Sequence, residues 1–136
     1  MRQSTRIYLA LGAGSALGAL ARHFCGHILL GITGGGFPWG TLMVNVVGSF
    51  IIGLYATLTE PDGRIFASPA RRQFVLAGFC GGFTTFSIFS LETVRLAASG
   101  RFDLAGANVI VSIVLWLFAV WFGYRIGQRI NRLKGT

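Results

Sequence analysis

The chain has 136 residues, of which 53% are hydrophobic and only 12% charged, whereas a soluble domain averages about 25% charged residues. The formal net charge of +8 could suggest a nucleic-acid partner. The basic residues, however, sit at the ends of apolar blocks, where they meet lipid headgroups, and no contiguous basic surface with interleaved aromatics appears, so no nucleic acid is expected. Each of four apolar blocks is near the roughly 20 residues that a helix needs to cross the hydrocarbon core. Together with short connections they use nearly the whole chain, which leaves no room for a separate soluble domain and predicts a single all-α membrane domain over residues 1–136.

The first predicted helix runs from about Ile7 to Ile32, after Arg2 and Arg6. A signal peptide would give a similar opening, but Arg22 interrupts the apolar run and no clean small-residue cleavage site follows it, so a permanent helix is expected. Gly12-Ala13-Gly14-Ser15-Ala16-Leu17-Gly18 is one position off the dinucleotide-binding spacing and has no βαβ context. Inside a span it reads as a helix-packing face. Arg22 leaves two readings open: an electropositive vestibule that attracts anions, or an arginine off centre that snorkels to the interface. His23 and His27 read as wall residues, since no third metal ligand is in sight.

Gly34-Gly35-Gly36-Phe37-Pro38 punctuates the end of the first crossing. The second helix runs from about Thr41 to Leu58, with Trp39 as an interfacial anchor. Asn45 shares a face with Thr41 and Gly48. A lone intramembrane Asn can glue helices together. The polar stripe around this one favours a pore role, in which its amide hydrogens meet an anion.

After Glu60-Pro61-Asp62-Gly63, the third helix runs from about Arg71 to Ala98. Its middle, Gly78-Phe79-Cys80-Gly81-Gly82-Phe83-Thr84-Thr85-Phe86-Ser87-Ile88-Phe89-Ser90, is rich in residues that weaken a helix or bond the backbone locally. Gly81-Gly82 followed by Thr84-Thr85 predicts a break. The freed carbonyls need a polar occupant, and in discontinuous membrane helices such carbonyls often hold a cation, here suited to Na⁺. Packing through Gly78 and Gly82 alone leaves the threonines unexplained. Phe86 and Phe89 are at i, i+3 spacing, and their positive ring edges can face an anion. The fourth helix runs from about Leu104 to Gln128, with Asn108 and Ser112 on one face and Trp121 and Tyr124 near its end. Cys25 and Cys80 both lie in apolar blocks and read as free, buried thiols.

No Ser/His/Asp set or carboxylate pair suggests catalysis, so the chain is not expected to be an enzyme. Of the acids, only Glu92 is an intramembrane candidate, near a helix end. Arg2, Arg6, Arg64, Arg71, Arg72, Arg125, Arg129, Arg132 and Lys134 fall on one side, against Arg95 and Arg101 on the other. This bias places both termini in the cytoplasm.

Gly40-Thr41-Leu42-Met43-Val44-Asn45-Val46-Val47-Gly48-Ser49-Phe50, with the Gly78–Glu92 segment and the Gly14, Gly18, Arg22 pattern, resembles the Fluc/CrcB fluoride channels over the whole chain. The resemblance implies an antiparallel, dual-topology dimer of four-helix subunits in the bacterial inner membrane, with two pores. It implies a structural Na⁺ at the dimer centre, held by the backbone carbonyls of Gly81 and Thr84. It places the stacked phenylalanines at Phe86 and Phe89, the pore asparagine at Asn45 and the helix 4 pore serine at Ser112, with Thr85 beside them and Arg22 at the vestibule. Two departures stand out. Ile88 occupies a position commonly threonine, and no tyrosine appears early in helix 4. The implied activity is passive: fluoride enters a cell as the neutral acid, dissociates, and leaves as the anion through the pore. The arginine bias is large for a dual-topology homodimer, so the chain is also expected to be able to pair with an oppositely oriented homologue. The rival is a small four-helix proton-coupled multidrug exporter, which resembles this chain in size but needs a carboxylate in its first helix.

Overall fold

The computed structural model of the protein describes residues 2–133. It is all-helical. The elements are α1 (Gln3–Thr33), α2 (Trp39–Leu58), α3 (Pro69–Gln73), a π-helical stretch (Phe74–Cys80), α4 (Gly81–Phe83), α5 (Phe86–Ala98) and α6 (Phe102–Arg132). Residues Pro69–Ala98 form one composite rod, so that four helical segments are long and apolar enough to cross a membrane. The predicted spans agree to within about four residues at each end.

Local chemistry sets the boundaries. α1 stops where Gly34 adopts φ 72° and returns its N–H to the Leu30 carbonyl at 3.0 Å, a conformation that favours glycine. α3 starts at a proline whose missing N–H costs a helix nothing there. The Ser68 hydroxyl caps it by accepting from the Arg71 N–H at 3.4 Å.

The third span leaves the helix at the threonines. Thr84 has φ −81° and ψ 158°, and Thr85 has φ −153° and ψ 125°. Gly81 remains helical at φ −64° and ψ −37°, so the glycines themselves do not open the chain. Their role is close approach: a Cβ on Gly82 would overlap the Ser15 carbonyl of α1, and one on Gly18 would overlap the Phe79 carbonyl. The packing explanation for Gly78 and Gly82, set aside in favour of a break, therefore holds together with the break. The π-helical turns just before it were not expected from the sequence.

α2 and α6 make the most extensive contact in the fold. Gly53 and Gly123 bring their backbones together, since a Cβ on either would overlap the facing chain. The residues sealed inside include Val44, Asn108, Thr57, Cys80 and Ser112. Leu, Ile and Phe side chains along α1 and α6 stay exposed. Polar groups inside and apolar groups outside is what a bundle in lipid requires. Cys25 and Cys80 are free thiols. At one end, the Arg64 N–H donates to Asn131 Oδ1 and Asn131 Nδ2 donates to the Thr57 carbonyl, both at 2.9 Å. These bonds join the end of α2, the following loop and the end of α6 on the arginine-rich side. Lys134, counted to that side, lies outside the described residues.

Candidate functional site

The break at Thr84-Thr85 is the centre from which the other polar groups are arranged. In an unbroken helix the Thr85 N–H would bond the Gly81 carbonyl. Instead it donates to Asn45 Oδ1 at 2.7 Å, while Asn45 Nδ2 donates to the Thr85 carbonyl at 2.8 Å. Both residues are buried. Asn45 thus replaces two lost backbone partners with one side chain, and one of its two amide hydrogens is not used in this pair.

Each threonine finishes one half of the span. Thr84 Oγ1 returns to the Cys80 carbonyl at 2.8 Å, closing the N-terminal half. Thr85 Oγ1 accepts from the Ile88 N–H at 3.2 Å and caps α5. It also lies 3.3 Å from Ser87 Oγ. Because Ile88 N–H turns to this hydroxyl, the Thr84 carbonyl too is released from a helical partner. It faces Arg22 Nη1 at 3.5 Å. The carbonyls of Gly81 and Thr84 are therefore among the oxygens that the break frees. A carbonyl has two lone pairs, so the guanidinium leaves Thr84 able to accept further. These hard, neutral oxygens suit an alkali cation rather than a soft metal. Among the described residues no three His, Cys, Asp or Glu come together as a metal site.

Two cavities flank the break, and Thr85 lines both. The larger, about 470 Å³, is lined by Arg22, His23, His27, Thr41, Thr85 and Glu92, with apolar neighbours. His23 and His27 pack edge to face with centroids 4.4 Å apart. Thr41 donates to Glu92 Oε1 at 3.0 Å, while Glu92 Oε2 is buried without a partner among the described residues. The smaller, about 200 Å³, is lined by Asn45, Ser49, Ile52, Thr84, Thr85, Phe86 and Trp116.

The expected site residues are not all in one place. Phe86 and Phe89 touch, with centroids 5.5 Å apart, but Phe86 is 71% exposed and Phe89 only 6%. They therefore do not share a surface in the single chain. Ser112 is wholly buried. It donates to Asn108 Oδ1 at 3.4 Å, and Asn108 Nδ2 donates to Thr93 Oγ1 at 2.9 Å. This relay lies between α5 and α6 and does not open on either cavity. Glu92 and Trp116 were missed as site residues. For Glu92 the available signal was its position three residues after Phe89. For Trp116 it was the i+4 step from Ser112, which continues the Asn108–Ser112 face.

Known proteins give a consistent picture. The family described as CrcB-like protein, Camphor Resistance (CrcB), matches residues 9–124. The chain is 51% identical over 136 residues to the fluoride-specific ion channel FluC 1 of Rhodopseudomonas palustris, covering 100% of this chain and 96% of that one. It is 53% identical over 132 residues to FluC 1 of Bradyrhizobium diazoefficiens, covering 97% and 92%. It is 49% identical over 130 residues to FluC of Opitutus terrae, covering 96% and 98%. With that match and relatives about half identical along their whole length, the chain belongs to the CrcB-like family.

Proposed function

We propose that the chain is a fluoride-selective channel which lets cytoplasmic fluoride leave passively across the bacterial inner membrane. It is a multi-pass membrane protein and a channel rather than an enzyme. The observation that carries the reading is a broken third span, tied to α2 through Asn45, in a chain about half identical to proteins named fluoride-specific ion channels.

The route passes the break. Arg22 gathers anions at the larger cavity. Thr85 and the spare amide hydrogen of Asn45 offer neutral donors, and the edges of Phe86 and Phe89 supply weak positive potential. Ser112, wholly buried between α5 and α6, stands behind this route rather than on it. Neutral donors suit conduction, because an anion must bind firmly enough to enter and loosely enough to leave. The working unit is an antiparallel dimer with two pores, formed with a second copy or with an oppositely oriented homologue. The carbonyls of Gly81 and Thr84 would hold a structural Na⁺ between the subunits, where it would cross-link them and take no part in conduction. The support for it is that those two carbonyls are among the ones the break releases. A proton-coupled multidrug exporter lacks support, because α1 carries no carboxylate.

The test is efflux from liposomes loaded with fluoride or chloride and reconstituted with the purified chain. Rapid release of fluoride with chloride retained is expected. Equal rates for both anions, or no release above protein-free vesicles, would refute the reading.

A further inference from the structure

Trp116 carries a hydrogen-bond donor with nothing to bond. Its Nε1 is shut off from solvent and has no acceptor among the described residues. Leaving a buried donor unmade is unfavourable, and phenylalanine would fill nearly the same space without it. Buried indole N–H groups normally find a partner, so this one calls for an explanation.

Its surroundings narrow the choice. Trp116 lines the cleft of about 200 Å³ together with Asn45, Thr85 and Phe86. Its ring meets Phe89 edge to face, with centroids 4.9 Å apart. An N–H directed at the Phe89 ring would be a second-order contact, weaker than the bond it replaces. The indole nitrogen donates and cannot accept, so its missing partner is an acceptor, not a cation. Being neutral, the group would hold an anion without trapping it.

Resting on the channel reading above, we propose that the Trp116 N–H is a binding site for a small, hard anion, fluoride, on the conduction route. Phe89 packs edge to face with the indole and touches Phe86, which puts the donor beside the phenylalanine pair that an anion would pass on arrival. A donor kept dry until then forms a stronger bond than one already hydrated. A charged acceptor strengthens it again.

Two measurements test this. Trp116→Phe keeps an aromatic ring and removes the donor, so fluoride efflux from liposomes should fall about tenfold, as expected for loss of one hydrogen bond to a charged group. In a spectrum of the ¹⁵N-labelled wild-type protein in detergent, the Trp116 indole proton should move downfield as sodium fluoride is added, and not with sodium chloride. The chain has three tryptophans, so Trp39→Phe and Trp121→Phe assign the signal even if Trp116→Phe fails to fold. Efflux within twofold of wild type, or an indole signal indifferent to fluoride, overturns the proposal while leaving the channel reading intact. Wild-type vesicles that release no fluoride would overturn the channel reading itself.

Discussion

Asn45→Ala is the sharpest single perturbation of the break. The substitution removes both side-chain partners of Thr85 and leaves the backbone N–H and carbonyl of that residue in place. Two hydrogen bonds are lost, at 2.7 and 2.8 Å. Hydrogen bonds inside membrane proteins average about 0.6 kcal/mol with a maximum near 1.7, which gives a low figure of about 1.2 kcal/mol for the pair. Buried groups left without partners cost about 1–3 kcal/mol each, which sets an upper bound of about 6. Thr85 is 7% exposed, so its orphaned groups start dry. The adjacent cleft of about 200 Å³ is large enough to admit water, which would recover part of the loss. The expected destabilisation is therefore about 2–3 kcal/mol, or about 10 °C in Tm for a chain of this size. It is read by thermal unfolding in detergent, beside fluoride efflux from liposomes. The amide tie also fixes the position of Thr85 between the two cavities, so efflux should fall even in the fraction that remains folded. A Tm within about 2 °C of wild type, corresponding to under about 0.5 kcal/mol, with efflux unchanged, would show that Asn45 does not hold the break.

The remaining predictions concern packing, thiols and cation. Gly18→Ala should destabilise by about 1–3 kcal/mol because the new methyl overlaps the Phe79 carbonyl. Gly12→Ala, with open space around it inside α1, should be neutral or stabilising by up to about 1 kcal/mol, and thermal unfolding of both compares them. A water-soluble maleimide should label Cys25, which is half-buried, well before Cys80, which is 0% exposed; equal labelling rates in the folded protein, followed by mass spectrometry, would contradict the burial of Cys80. Replacing Na⁺ by a bulky organic cation during purification should lower the unfolding temperature of the assembled channel. No change would count against a cation on the Gly81 and Thr84 carbonyls.

How much of this could be read in the sequence depended on the range of the interaction. The four spans follow from apolar length alone, which is why the second begins at Trp39 rather than Thr41 and the fourth at Phe102 rather than Leu104, with no change in topology. The break was visible because Gly, Thr and Ser cluster where a helix should be apolar. Its placement was off by a few residues, since glycine propensity does not reveal that Gly82 is required by Ser15 of another helix. The partner of Asn45 was not legible. Thr85 is 40 residues away, and the bond goes to backbone atoms, which every residue possesses. For Asn108 only the face shared with Ser112 was legible, not that it is buried and bonded to Thr93 across the α5–α6 contact. Glu92 looked terminal because its distance from the helix end was visible and its bond to Thr41 was not.

The single chain leaves one physical problem that its own residues do not solve. Gly81 is exposed and has lost the helical partner of its carbonyl to Asn45. Phe86, just after the break, is 71% exposed. Lipid tails can cover the phenylalanine, but they offer no donor or cation to a free carbonyl, and irregular backbone at membrane depth persists only against protein or water. Something polar must therefore close over the break. In the proposed dimer, a second subunit in the opposite orientation would do so economically, because it would bring its own Gly81 and Thr84 carbonyls towards the first pair with a cation between them. The arginine-rich end formed around Arg64 and Asn131 opposes that arrangement for identical chains, since one copy must insert against the positive-inside preference. A partner with the reverse charge bias removes the conflict. Expressing this chain alone with a terminal tag distinguishes the two cases: tag accessibility from one side only requires such a partner, and accessibility from both sides rules out the need for it.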